Sequence, residues 1–272
     1  MTDWLEIHRG EAPLVVAFPH TGTDIPTGLE DGFVSPWLAR RDADWWIDRL
    51  YSFARDLGAT TVRTRISRSV IDVNRDPSGA SLYPGQATTE LCPTTDFDGK
   101  PLYAGWVPDE VEIARRRATW FDPYHAALAT ELKRLRAVLG HVVLYDAHSI
   151  RSHIPRLFDG ELPQFNIGTN DDVTCAPTLS ASVQAICAAS GRSHVLNGRF
   201  KGGWTTRQYG HPAEGISAIQ MELAIRGYIA EPAEPTPANW PTSFDPDVAG
   251  PITATLRDIL TSCLTFAGKG QS

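Results

Sequence analysis

Leu14-Val15-Val16-Ala17-Phe18-Pro19-His20-Thr21-Gly22 opens with five apolar residues and stops abruptly at a polar turn that carries a histidine. His141-Val142-Val143-Leu144-Tyr145-Asp146-Ala147-His148-Ser149 repeats the design further along. Apolar runs this short, without polar alternation and bounded by turn residues, read as strands buried on both faces. A third run, Ile216 to Met221, ends at Glu222. Shorter strands are expected at Thr60 to Ile66, Phe165 to Gly168 and His194 to Leu196.

Helical patterns separate these strands. Trp46, Leu50, Phe53 and Leu57 recur at three- and four-residue spacing, which predicts a helix from about Trp37 to Leu57, stopped by Gly58. Asp109 to Leu139 reads as helix with a restart at Asp122-Pro123, and further helices are expected at Leu179 to Ala189 and near Ile252 to Phe266. Between Ser67 and Pro108 the chain is rich in Gly, Pro, Ser, Thr and Asp, so little regular structure is expected after Arg75. Loops of that length are uncommon unless functional. The proline-rich run from Glu231 to Pro241 fits neither helix nor central sheet. Alternating strands and helices predict a three-layer α/β/α fold with a mainly parallel mixed sheet, in one domain spanning 1–272. In such sheets ligands collect beyond the carboxyl ends of the strands, where His20, His148 and Glu222 fall.

Composition narrows the classes. With 25 Lys and Arg against 32 Asp and Glu, the net charge is −7, and no basic run interleaved with aromatics suggests a nucleic-acid surface. No apolar run of about 18 residues is present, so no membrane span is expected. The N-terminus lacks a basic and apolar leader, which makes a cytoplasmic location the expectation. Cys92, Cys175, Cys187 and Cys263 form no CxxC pair, so they read as reduced thiols, and any metal must rely on His and carboxylates. Arg68, Arg75, Arg151, Arg156, Arg199 and Arg207 sit in glycine- and proline-rich surroundings and together suggest a small anionic ligand.

Either histidine alone reads most simply as a hydrogen-bonded structural residue. Two at equivalent strand ends, joined by a carboxylate, would make a three-ligand site with a position left for water. A glutamate closing an apolar strand is poorly explained by packing, because a buried carboxylate costs free energy unless paired or placed for work. Glu222 is therefore the candidate to accept and return the proton in a hydrolysis. The segment Ser67-Arg68-Ser69-Val70-Ile71-Asp72-Val73-Asn74-Arg75 offers guanidinium forks that suit a carboxylate, although Arg68 or Arg75 could equally pair with Asp72 or Asp76.

These residues resemble a family. PHTG at 19–22, RDADWWIDRLY at 41–51, SRSVIDVNR at 67–75, FDGKPLY at 97–103, DAHSIRS at 146–152, LPQFNIGT at 162–169, NGRFKGGWTTRQYGHP at 197–212 and AIQMEL at 218–223 look like the successive blocks of N-formylglutamate amidohydrolases. The resemblance implies hydrolysis of N-formyl-L-glutamate to L-glutamate and formate, in histidine degradation, on a fold related to zinc carboxypeptidases. It further implies that Asp72-Val73-Asn74-Arg75 grips a substrate carboxylate, that His148 binds one divalent metal ion, with zinc expected, and that Glu222 is the base. Carboxypeptidases place a ligating glutamate three residues after the first histidine, where this chain has Thr23. The carboxylate then comes from elsewhere: Asp44 is the choice, with Asp42 and Asp24 as alternatives and an N-cap role open for Asp42. The expected site is thus His20, Asp44 and His148 for metal, Glu222 and Arg68 for catalysis, and Asn74, Arg75, Arg151 and Arg207 for substrate carboxylates or the oxyanion. His141, His153 and His211 are read as supporting or surface groups. Two other readings are a zinc hydrolase of another N-acyl amino acid or peptide end, and a non-catalytic dicarboxylate-binding protein.

Overall fold

The computed structural model describes residues 3–269. Its strands are β1 (Leu5–His8), β2 (Leu14–Phe18), β3 (Thr60–Thr64), β4 (Val142–Ile150), β5 (Phe165–Gly168), β6 (His194–Leu196) and β7 (Ile216–Ala224). Its helices are α1 (Leu38–Arg41), α2 (Ile47–Leu50), α3 (Glu110–Arg116), α4 (Asp122–Leu139), α5 (Pro177–Ala189), α6 (Trp204–Tyr209) and α7 (Pro246–Lys269). The strands form one seven-stranded sheet in the order β1-β3-β2-β4-β7-β5-β6. Pairing is parallel between β3 and β2, β2 and β4, β4 and β7, and β5 and β6, and antiparallel at β1 with β3 and β5 with β7. This is the expected mainly parallel mixed sheet.

Strand alternation assigns side chains to two cores. Leu14, Val16, Tyr145, Ile219 and Met221 pack with α5 and α7 on one face, while Val15, Ala17, Leu144 and Ala218 pack with α4 on the other. Every residue of β2 and β4 is buried, which is why neither strand shows a polar period in the sequence. Burial of each such Leu, Ile or Val side chain stabilises the fold by about 1.5–3 kcal/mol relative to exposure.

Three local expectations are revised, and one strand is added. The helix foreseen from Trp37 to Leu57 breaks into α1, α2 and a 3₁₀ turn at Ser52–Ala54. Its apolar spacing is genuine, since Leu50 and Phe53 are core residues, but the backbone turns aside between the two short helices, where the Asp44 N–H donates to the carbonyl of His20 at 3.0 Å. Trp46 adopts a left-handed conformation there (φ 64°), an uncommon state for a bulky residue. Asp122 is itself helical (φ −61°, ψ −42°) rather than capping: a π turn over Arg117–Phe121 precedes it, and such widened turns admit an interruption without ending the helix. The strands holding His148 and Glu222 run two residues past them, to Ile150 and Ala224, so both residues lie inside the ladder and not at its last rung. Finally, β1 had no sequence signal, being a half-exposed four-residue edge strand.

Among the described residues, no element of helix or strand length lies between Thr64 and Glu110. Val70, Ile71 and Val73 nevertheless anchor the start of this segment in the core. No helix of the described residues is long and apolar enough to cross a membrane.

Candidate active site

β2, β4 and β7 lie side by side, and their carboxyl ends deliver the site. His20 follows β2 by two residues, while His148 and Glu222 are direct register partners in β4 and β7. Because Tyr145 and Ala147 face α7, alternation turns Asp146 and His148 to the opposite face. By the same count Gln220 and Glu222 share that face, since Ile219, Met221 and Leu223 belong to the α7 core.

His20, Asp44 and His148 are all buried, and one ligand-type atom from each lies within 4.8 Å of the others. Asp44 Oδ2 is 3.1 Å from His148 Nδ1 and 3.8 Å from His20 Nδ1. Tetrahedral zinc ligands at about 2.0–2.2 Å from the ion stand roughly 3.3 Å apart, so the cluster has the right scale. His20 Nδ1 and Asp44 Oδ1 are buried without a hydrogen-bond partner among the described residues, a costly arrangement unless a ligand engages them. The other ring nitrogens are held by carboxylates: Asp72 Oδ1 accepts from His20 Nε2 at 2.6 Å, and Asp146 Oδ2 lies 3.0 Å from His148 Nε2. A carboxylate behind each ligating imidazole fixes its tautomer and raises its basicity. The donor set therefore fits one divalent ion.

Charges around the cluster agree. Burial first, and Arg68 next, hold the His20 imidazole below its ordinary pKa, leaving it neutral as a ligand must be. Burial opposes a charge on His148, yet Asp146, Asp44 and Glu222 outweigh it and raise its pKa well above the usual value. That acidic surround calls for positive charge, which a divalent ion would supply instead of the proton. Burial alone would raise Asp72, but His20, Arg75 and Arg68 hold its carboxyl well below the ordinary range. Burial drives the Glu222 carboxyl upward against the pull of His148.

His20 and His148 line a cavity whose wall also includes Arg68, Asn74, Arg75, Arg199 and Glu222. The N-formylglutamate amidohydrolase family profile matches residues 12–229. The chain belongs to the N-formylglutamate amidohydrolase family. It is 46% identical over 268 residues to the N-formylglutamate deformylase of Pseudomonas aeruginosa, covering 98% of each chain. The Pseudomonas putida N-formylglutamate deformylase is 45% identical over 267 residues, covering 97% of each. In fold the chain is similar to the crystal structure of N-formylglutamate amidohydrolase from Ralstonia eutropha JMP134, with a TM-score of 0.77 at 24% identity and 97% of both chains covered. As a member of this amidohydrolase family the chain is an enzyme acting on an amide.

Within this family member the remaining sequence candidates divide. Asp44 joins the histidines, whereas Asp42 Oδ2 accepts the Phe97 N–H and Asp24 pairs with Arg65 at the surface. Asp42 closes α1 and caps no helix start. Arg68 donates to Asp72 at 2.7 Å and stands 3.6 Å from Asp44, and Arg75 is braced by Thr89 at the cavity wall. Asn74 has both amide atoms engaged, Oδ1 accepting the Thr205 N–H and Nδ2 donating to Asp146 Oδ2 and lying 3.0 Å from His148 Nε2, so it braces His148 from the cavity wall. Arg151 and Arg207, expected to bind substrate, are absent from that wall. Arg151 pairs with Asp98 at 3.0 Å and Asp42 at 3.4 Å, and Arg207 lies over the Tyr83 ring and donates to Gly202 O. Asp146 was overlooked, although its place two residues before His148 on one strand face was a readable signal. Asp72, within the motif that the resemblance assigns to a substrate carboxylate, pairs with His20, Arg68 and Arg75. The His211 ring lies 3.2 Å from Gln208 O, and neither His211, His141 nor His153 lines the cavity.

Proposed function

We propose that this chain hydrolyses N-formyl-L-glutamate to L-glutamate and formate, with His20, Asp44 and His148 holding one divalent metal ion, zinc by its donor set. The observation that carries the reading is the unpartnered, buried His20 Nδ1 beside Asp44 and His148, with Glu222 lining the same cavity. A divalent ion there would polarise the formyl carbonyl and lower the pKa of water toward neutrality.

Around that chemistry the protein's residues have separate tasks. Glu222 accepts the proton of the attacking water and passes it to the amine nitrogen of the departing glutamate. Gln220 Nε2, 3.4 Å from Glu222 Oε2, helps to orient the carboxylate. Arg68, whose guanidinium rests over the Phe97 ring at 4.8 Å, offers positive charge to the oxygen that becomes anionic as the carbonyl is attacked. Arg75 takes a substrate carboxylate, with Thr89 fixing its fork. Asn74, Asp72 and Asp146 keep the two imidazoles in place.

The test is metal analysis of the purified protein together with assay on formyl-, acetyl- and formimino-glutamate. About one divalent ion per chain, loss of turnover on chelation with secondary structure retained, and preference for the formyl substrate are expected. Full turnover by exhaustively metal-free protein would sink the metal assignment. Equal turnover of acetylglutamate would move the reading to a broader acyl-amino-acid hydrolase.

A further inference from the structure

Three guanidinium groups line the active-site cavity, those of Arg68, Arg75 and Arg199, and they differ in their partners. Arg68 is tied to Asp72 at 2.7 Å, and Arg75 stands 3.7 Å from the same carboxylate. Arg199 has no carboxylate partner among the described residues. Its Nε donates to Leu157 O at 2.8 Å and its Nη2 to Ala87 O at 2.7 Å, both backbone carbonyls. The Tyr83 and Phe200 rings flank the guanidinium at 5.4 and 5.3 Å. The head group is thus held by two carbonyls and two aromatic rings, with Nη1 free of hydrogen bonds among the described residues.

This arrangement asks for an anion. Burial disfavours the Arg199 charge and the nearby Arg75 adds repulsion, while Tyr83 and Glu222 favour it with no ion pair at contact distance among the described residues, so the charge is incompletely compensated. Tyr83 closes this part of the wall, its hydroxyl donating to Gly202 O at 2.7 Å. Arg75 shares Asp72 with His20 and so belongs to the metal end of the cavity. Arg199 forms no ion pair with Asp44 or Asp72, the carboxylates around His20, among the described residues. N-formylglutamate offers two carboxylates, one on the carbon next to the scissile amide and one at the end of its side chain.

We infer that Arg199 binds the side-chain carboxylate of the substrate and sets the preference for acidic over neutral N-formyl amino acids, with Arg75 taking the carboxylate next to the amide. The inference rests on the deformylase reading above. A bound carboxylate would accept from the free edge of a fork whose other donors are already fixed, so little side-chain freedom is lost on binding.

The test compares kcat/KM for N-formylglutamate and N-formylglutamine in the wild type, Arg199→Gln and Arg199→Lys. Losing a charge-assisted hydrogen bond lowers binding by about 10- to 100-fold. Arg199→Gln should therefore cut the preference for formylglutamate by about that factor, through KM, with a smaller loss of efficiency on formylglutamine. Arg199→Lys should recover part of the preference. The ratio of the two efficiencies is independent of how much variant protein folds, and the lysine variant supplies it if the glutamine variant is inactive on both. A preference equal to wild type in both variants overturns the inference while leaving the deformylase reading intact. A wild type that cleaves neither formyl amino acid overturns that reading and the inference together.

Discussion

His148 and Glu222 are Cα partners in the parallel ladder of β4 and β7, and their side chains leave the sheet on the same face. Adjacent strands lie about 4.8 Å apart, so this register places the proposed metal ligand and the proposed proton acceptor side by side on rigid backbone. Asp146 and Gln220, the partners one turn of the pleat earlier, support each in the same order: Asp146 holds His148 and Gln220 reaches Glu222. A one-residue slip of either strand would turn its own two residues to the opposite core.

Separate tasks for the two partners give the first prediction. Glu222→Gln keeps the side-chain volume but removes the proton acceptor. Turnover should fall by roughly 100-fold or more while metal content stays near that of the wild type. Metal loss on this substitution, measured by elemental analysis, would make Glu222 a ligand and demote Asp44.

Asp146→Asn tests the support behind His148. The amide is nearly isosteric but cannot hold the Nε2 proton as a carboxylate does. Metal affinity, titrated against a competing chelator, should weaken by about 10- to 100-fold with the fold preserved. Asp42→Asn, which alters a residue outside the cluster, should leave that affinity nearly unchanged. Equal losses in the two variants would argue against the assigned roles.

The difference between Asp42 and Asp44 also shows how far the sequence could be read. β2, β4 and β7 were legible because apolar runs buried on both faces need no knowledge of their neighbours. The histidines and Glu222 followed, since each interrupts or closes such a run. Asp44 was harder, because its block reads as helix by apolar spacing, and only the observed turn places Asp44 beside His20. The resemblance chose it where periodicity could not. Arginines were least legible: Arg151 and Arg199 both sit among loop residues, and their fates depend on whether a carboxylate such as Asp98 or a carbonyl such as Leu157 O is nearby in space.

Gly203 gives a prediction about packing. A Cβ there would meet Asn74 Nδ2 at 2.4 Å and Oδ1 at 2.5 Å, closer than real contacts allow. Asn74 has little room to yield, because Thr205 N and Asp146 hold both ends of its amide. Gly203→Ala should cost about 1–3 kcal/mol, the usual scale for overpacking, and weaken metal binding through Asn74 and Asp146. In an Asn74→Ala background the same change should cost at least about 1 kcal/mol less, since the clash is gone. Additive effects in denaturant unfolding would show that the strain lies elsewhere.

His125 carries the last prediction, which concerns stability and pH. Its Nε2 is 2.8 Å from Val73 O and its Nδ1 is 3.0 Å from the Tyr209 hydroxyl, so α4 grips the backbone between Asp72 and Asn74 through a neutral imidazole. Burial lowers the pKa from 6.5 to about 4, against the opposing pull of the Val73 carbonyl and Asp146. In the unfolded chain His125 gains its proton as the pH falls below about 6.5, whereas in the folded chain it stays neutral until about 4. Over that window the unfolded state binds more protons, so stability declines as pH falls and this contribution is gone below the folded value. Between pH 7 and pH 5 the span is about 1.5 units, on the order of 2 kcal/mol at 1.36 kcal/mol per unit. Denaturant unfolding of wild type and His125→Gln at both pH values should show the wild type losing about that much more than the variant. The glutamine cannot titrate, so an equal loss in the two proteins would place the acid sensitivity on other groups.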